Sequence, residues 1–216
     1  MPPEFQFDAA RHEYRVGGVI IPGCTRAIGD SGLTNFVHIK AEILDRRSKL
    51  GRHVHTCCHF FDEGDLDRKT IDESAKGYVD SWGLLCEDIK PEWRLIEHQC
   101  VGEIDSMLFG MQLDREGLIF GEEAIVDLKI SRSVEPFHGV QTAGYAAGLS
   151  HPTLSSPTAR FLRRRRYVVK LNEKGSRAQL IHFESRVDYD AFRAALVISH
   201  TKLLWGRKIP PLEEVA

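Results

Sequence analysis

The run Glu123-Ala-Ile-Val-Asp-Leu-Lys-Ile130 constrains this chain most, because it sets a carboxylate and an ammonium inside what otherwise reads as a buried strand. Side chains alternate across a strand, so Asp127 and Lys129 share one face while Val126, Leu128 and Ile130 take the other. Desolvating a charge is costly, so such a pair inside an apolar strand points to charges that are matched or used. An isolated Asp-x-Lys also fits an edge strand with one solvated face, so the tripeptide alone does not decide between the two.

A second strand is expected over Cys100 to Phe109, carrying Asp105 three residues after Gly102, with core strands spanning Glu92 to Phe109 and Glu123 to Ile130. The stretch between them holds Gly110, Asp114, Arg115, Glu116, Gly117 and Gly121 and reads as a hairpin-like connection. If the two strands share a sheet, Asp105 and Asp127 converge on one cation. Hard oxygen ligands suit Mg²⁺ or Mn²⁺, and Lys129 would then offset charge developing on a phosphate.

Short strands are expected at Phe5 to Phe7, Glu13 to Val16 and Val19 to Ile21, as a small N-terminal appendage. Helical periodicity runs from Asn35 to about Phe61, from Asp72 to Cys86, from Pro136 to Leu149 and from Asp188 to about Trp205. A loop from His151 to Pro157 precedes expected strands at Phe161 to Leu171 and Gln179 to Phe183. The order predicts one α/β domain over residues 1 to 216, a central mixed sheet flanked by helices.

Four segments, in this order, resemble the PD-(D/E)xK nucleases and their RecB-like and phage-exonuclease-like branch. They are Gly51-Arg-His-Val-His55, Gly102-Glu-Ile-Asp105, Asp127-Leu-Lys129 and Gln141-Thr-Ala-Gly-Tyr145. The resemblance implies a restriction-endonuclease-like core and metal-dependent hydrolysis of DNA from an end, in repair, recombination or phage-type processing. It implies Asp105, Asp127 and the Leu128 backbone carbonyl as ligands of Mg²⁺ or Mn²⁺, with His55 ligating or orienting the ion. His53 competes for that role, and Glu97 matches an acid that reaches the metal through water or serves structure. Gln141 and Tyr145, four apart on one helix face, are implied to line the site beside Lys129. Members acting on ends rely on a ring, an arch or a partner subunit, so a homo-oligomer or a helicase partner is within the expectation. Two alternatives stand beside it: a nucleic-acid-binding subunit that does not cleave, and an endonuclease of the same fold.

Some RecB-like branches hold an iron–sulfur cluster with one early and three late cysteines. Here the cysteines are Cys24, Cys57, Cys58, Cys86 and Cys100, with no C-x-x-C, so no cluster is expected. Their odd number argues for a reducing cytoplasm over a disulfide framework. Zinc held by Cys57, Cys58, His59, His53 and His55 is the weaker reading; the two cysteines read better as small buried residues. No apolar run is long enough to span a bilayer, so no membrane partner is expected. The net charge of −2 gives no global basic signature, and DNA affinity must come from local patches. Arg163-Arg-Arg-Arg166 is the obvious basic cluster; Arg164 and Arg166 are the candidate phosphate contacts, with a charge-guarded edge strand as the alternative.

Overall fold

The structure, a computed structural model, describes residues 4–9, 11–34 and 41–206. The elements are β1 (Phe5–Asp8), β2 (Glu13–Val16), β3 (Val19–Ile21), α1 (Cys24–Asp30), α2 (Ala41–Glu63), α3 (Glu73–Ile89), β4 (Glu92–Ile104) and β5 (Met107–Ile119). They continue with β6 (Glu122–Lys129), α4 (Pro136–Gly148), α5 (Pro157–Arg163), β7 (Arg165–Lys170), β8 (Gln179–His182) and α6 (Val187–Gly206). The expected start of the second helix, with Phe36 and Ile39, lies outside the described residues.

Five strands form one mixed sheet in the order β4-β5-β6-β7-β8, antiparallel except for the parallel pair β6 and β7. Parallel neighbours need a crossover, and α4 and α5 supply it. One sheet face packs Ile125, Phe109, Met111 and Leu113 against α1, α4 and α6. The other packs Val126, Leu128, Ile119 and Val169 against α2 and α3. Helices therefore cover both faces, and the near-continuous burial of β6 follows from that.

The hairpin β4–β5 departs from expectation. Its turn is Asp105-Ser106, with φ of 50° and 63°, the two left-handed residues that a type I′ loop demands. The expected connection from Gly110 to Gly121 is thus mostly strand, and the true β5–β6 loop is Phe120-Gly121, φ 52° and 75°. The ribbon also rolls over midway. Phe109, Met111 and Leu113 face one core, whereas Ile119, of the same parity, faces the other. Glu97, which lies in β4 between the pairs Ile96↔Arg115 and His98↔Leu113, has φ 46°. A non-glycine residue held there stores about 1–3 kcal/mol and re-aims its side chain, a device concentrated at functional sites.

The three-stranded sheet β1-β2-β3 sits on β5 through Tyr14 and Gly110. A Cβ at Gly110 would lie 2.0 Å from the Tyr14 ring, so only glycine admits this approach. Helix α1 follows it and was not foreseen; it is short, and its glycine N-cap gives no side-chain signal.

The expected strand Phe161–Leu171 divides into α5 and β7. Ser156 caps α5 and Pro157 occupies its first turn, the standard start of a helix. Arg164 and Arg166, the expected phosphate contacts, are instead directed into the protein. Arg164 is buried and donates to the carbonyls of Ala146, Leu149 and Ser150 at 2.8–2.9 Å, satisfying the end of α4. Arg166 is also buried, against Gly139 O, Ser185 O and the Asp188 carboxylate. Exposed Arg163 and Arg165 pair with Glu123 and Glu122.

At the start of α4, the Glu135 N–H donates to Nδ1 of buried His138 at 2.9 Å, so this bond needs a neutral ring. Burial, and then the nearby Lys129 charge, push the His138 pKa down to about 4, with Asp127 and Glu135 opposing. A folded pKa below the unfolded value of about 6.5 means that the contribution is complete above pH 6.5 and is lost as pH falls towards 4. Between pH 7 and 4.5 the wild type is expected to lose about 2 kcal/mol more than His138→Gln in urea unfolding. Identical pH dependence of the two proteins would remove this role from His138.

Candidate metal centre

The site forms where the sheet's central strands meet α2 and α4. Asp127 and Lys129 emerge together from β6 on the α4 side. Asp127 is buried, and its Oδ2 lies 2.7 Å from Lys129 Nζ. Among the described residues Lys129 is the one ion-pair partner of this buried carboxylate. Burial opposes the charge on Lys129, but Asp127 and Asp114 outweigh it and hold its pKa above the ordinary value.

Asp114 on β5 lies one step beyond the ladder pair Arg115↔Val126, opposite Asp127. Its Oδ2 accepts the Leu128 N–H at 2.6 Å, and its Oδ1 faces His55 Nδ1 at 3.5 Å. In an extended strand the N–H and C=O of one residue point to the same edge, so the Leu128 carbonyl also faces the β5 side. His55 Nδ1 lies 3.3 Å from Glu97 Oε1. Among the described residues, His55, Glu97 and Asp114 are the group able to share a cation, with one ligand atom each mutually within 4.8 Å.

Burial pushes Asp114 up to about 6 against the pull of His55, with Asp127 and Glu97 adding to the rise. Burial also opposes a charge on His55, yet Asp114 and Glu97 raise its pKa to about 9. Burial disfavours ionised Glu97, but His55 and Arg115 outweigh it and hold its pKa low. Three acids crowded beside one imidazole and one ammonium are what a cation would relieve.

Glu97 is held from behind. Its oxygens accept from Arg115 at 3.0 Å and Gln112 at 3.2 Å. Arg115 is fully buried and its Nε reaches Asp62 of α2 at 2.6 Å. On α4, Gln141 Nε2 donates to the Tyr145 hydroxyl at 2.8 Å, and both side chains are buried. Tyr145 lines a cleft of about 570 Å³ with Asp114, Glu97, His55, Tyr14 and Cys24. Burial raises the Tyr145 pKa far above normal, so its hydroxyl remains a neutral donor.

Asp105 is placed otherwise than expected. It occupies the exposed β4–β5 turn, where it pairs with Arg193. At about 3.3 Å per residue it is roughly 25 Å along the hairpin from Asp114. Its Gly102 serves packing: a Cβ there would lie 2.6 Å from Phe109 and 3.0 Å from the Gly148 backbone. In the sequence Asp114 and Arg115 fall in the stretch that reads as a connection, and Gln112 and Asp62 carry no local signal. The available signal was the two-residue Asp105-Ser106 loop, weaker than an Asp-Gly turn, which makes the following residues strand.

His53 lies 3.9 Å from Cys57 Sγ through Nε2, and His59 pairs with Glu63, so neither joins His55. Cys57 and Cys58 are buried in the core under α2 and α3, and their thiol pKa values are raised by burial. None of the described helices is long and apolar enough to cross a membrane. Compared with protein-family models and with curated proteins, the chain matches none.

Proposed function

We propose that this protein is a Mg²⁺- or Mn²⁺-dependent deoxyribonuclease with a PD-(D/E)xK, restriction-endonuclease-like core. The observation that carries the reading is Asp127-x-Lys129 on β6 directly opposite Asp114, which reaches His55 and Glu97. In this reading Asp114 takes the role expected of Asp105.

The residues fit a divalent cation. The donors are one imidazole nitrogen and hard carboxylate oxygens, a set suited to Mg²⁺ and, with the nitrogen, to Mn²⁺. The buried Asp127 carboxylate, paired with Lys129, adds negative charge on the neighbouring strand. His55, Glu97 and Asp114 would hold the ion, with Asp127 and the Leu128 carbonyl beside it. Such an ion supplies Lewis-acid charge at a phosphate and lowers the pKa of water.

The chain's own groups divide the remaining work. Lys129 keeps its proton at Nζ and presents that charge where a phosphodiester becomes more negative. The Gln141–Tyr145 pair forms a fixed wall whose hydroxyl is a neutral donor. Arg115, through Glu97, keeps one ligand in place without touching substrate. The branch resembled favours attack from DNA ends.

End-labelled single- and double-stranded DNA and closed circular plasmid, incubated with Mg²⁺, Mn²⁺ or EDTA, test this. Wild type is expected to shorten the linear substrates only with metal and to spare the circle. Lys129→Ala is expected to slow cleavage by roughly 10²–10³-fold, as for loss of one fixed electrostatic group. Cleaved circles would make it an endonuclease. Absence of cleavage with either metal would overturn the reading.

A further inference from the structure

A second cleft, of about 820 Å³, adjoins the metal centre at the ends of β6 and β7. It is lined by Arg46 and Arg47 of α2, Arg132 after β6, Lys170 ending β7 and Lys174 in the turn before β8. Against these five cations stands one lining carboxylate, Glu173, a local +4 in a chain whose total is −2. None of the five has an ion-pair partner within 4 Å among the described residues. Like charges gathered in a concavity repel, so an arrangement of this kind disfavours the free protein and favours an anion.

The two clefts are neighbours in the fold. Lys170 is the ladder partner of Lys129, and the Leu171 N–H donates to the Lys129 carbonyl at 2.9 Å. On α2, Leu50 lines the basic cleft and Gly51 the metal cleft. The Lys174 turn is fixed: Asn172 N–H donates to Ser81 Oγ, Lys174 N–H donates to Asn172 Oδ1, and a Cβ at Gly77 would lie 1.9 Å from the Glu173 carbonyl oxygen.

We propose that this basic cleft carries the phosphodiester backbone of the DNA strand into the metal centre; the proposal rests on the nuclease reading. From Arg46 to His55 along α2 is about 14 Å at 1.5 Å per residue. That is about four nucleotide steps at 3.4 Å per strand. The one lining aromatic, Tyr78, turns its hydroxyl to Glu173 at 3.5 Å. Contacts are therefore to phosphates and not to bases, and binding is independent of sequence.

Fluorescence anisotropy of a labelled 20-mer in EDTA, over a series of KCl concentrations, reads binding without cleavage. Arg46→Gln/Arg47→Gln and Lys170→Gln/Lys174→Gln are each expected to flatten the slope of log K against log salt by about 1.4–1.8, at 0.7–0.9 per lost contact. The quadruple variant is expected to bind about a hundredfold more weakly near 0.1 M salt. Arg163→Gln/Arg165→Gln, outside the cleft, is the control and should change neither. An unchanged slope in the quadruple variant, an equal effect of the control, or no DNA binding by wild type would each overturn the track. So would polyglutamate displacing the DNA as well as unlabelled DNA does, which would assign the cleft to an acidic protein. A quadruple variant that binds and cleaves as wild type does would remove the track and leave the nuclease. Cation-dependent binding by a wild type that no metal activates would do the reverse.

Discussion

Asp114→Asn protein is expected to lose metal-dependent DNA cleavage by about 10³-fold or more, while Asp105→Asn stays within about threefold of wild type. The contrast follows from where the two carboxylates sit. Asp114 is buried opposite Asp127 and is one of the three groups able to share a cation, whereas Asp105 is a solvated turn residue paired with Arg193. An exposed pair of that kind contributes at most about 1 kcal/mol and touches nothing in the site. An amide at position 114 still offers an oxygen to the Leu128 N–H, so the strand geometry survives while the anionic ligand is lost.

Metal binding gives a readout separate from turnover. A ligand that binds only the folded state stabilises it by RT ln(1 + [L]/Kd), about 2.7 kcal/mol at one hundred times Kd. Mn²⁺ should therefore raise the melting temperature of wild type and of Asp105→Asn, and leave Asp114→Asn unmoved. If Asp105→Asn were the inactive variant and Asp114→Asn cleaved normally, the site as built around Asp114 would be wrong. If both cleaved, the nuclease reading would need another centre.

Much of the architecture was legible because it rests on local signals. The alternation in Glu123–Ile130 set β6 and the shared face of Asp127 and Lys129. Periodicity and the Pro136 start set α4, which brings Gln141 and Tyr145 together. Two kinds of information were not local. Asp105 and Asp114 are both acids on one hairpin, and only the position of the turn decides which of them meets β6. Here the turn chemistry is Asp-Ser, and the glycines at 110 and 117 imitate loop residues. They are glycine for tertiary reasons: Tyr14 lies over Gly110, and a Cβ at Gly117 would meet the Glu92 carbonyl at 2.1 Å. The arginine run misled for a similar reason. Arg164 and Arg166 serve carbonyls of the α4 region and the α6 start, partners distant in sequence.

Truncating Arg115 is expected to cost about 3–5 kcal/mol of stability for Arg115→Met. This guanidinium is fully buried between Asp62, Glu97 and the Asp114 carbonyl, 5.9 Å above the Trp82 ring. Asp62 is almost as buried and also accepts from Trp82 Nε1 at 2.9 Å. Burial alone raises the Asp62 pKa, and the Arg115 partner opposes that rise. Removing the cation therefore leaves Asp62 without its counter-charge and Glu97 with His55 alone, a larger effect than losing the contact itself. For a chain of this length about 2–4 °C accompanies each kcal/mol, so the melting temperature should fall by roughly 6–20 °C. The double variant Arg115→Met/Asp62→Leu should recover part of the loss, because neither charge then remains alone. Recovery would be incomplete, since Glu97 has lost a donor and with it the support of a strained backbone. Urea unfolding of the two single variants and the double gives the coupling energy directly. Strict additivity, or a loss under about 1 kcal/mol for Arg115→Met, would mean that this network neither stabilises the fold nor braces the site.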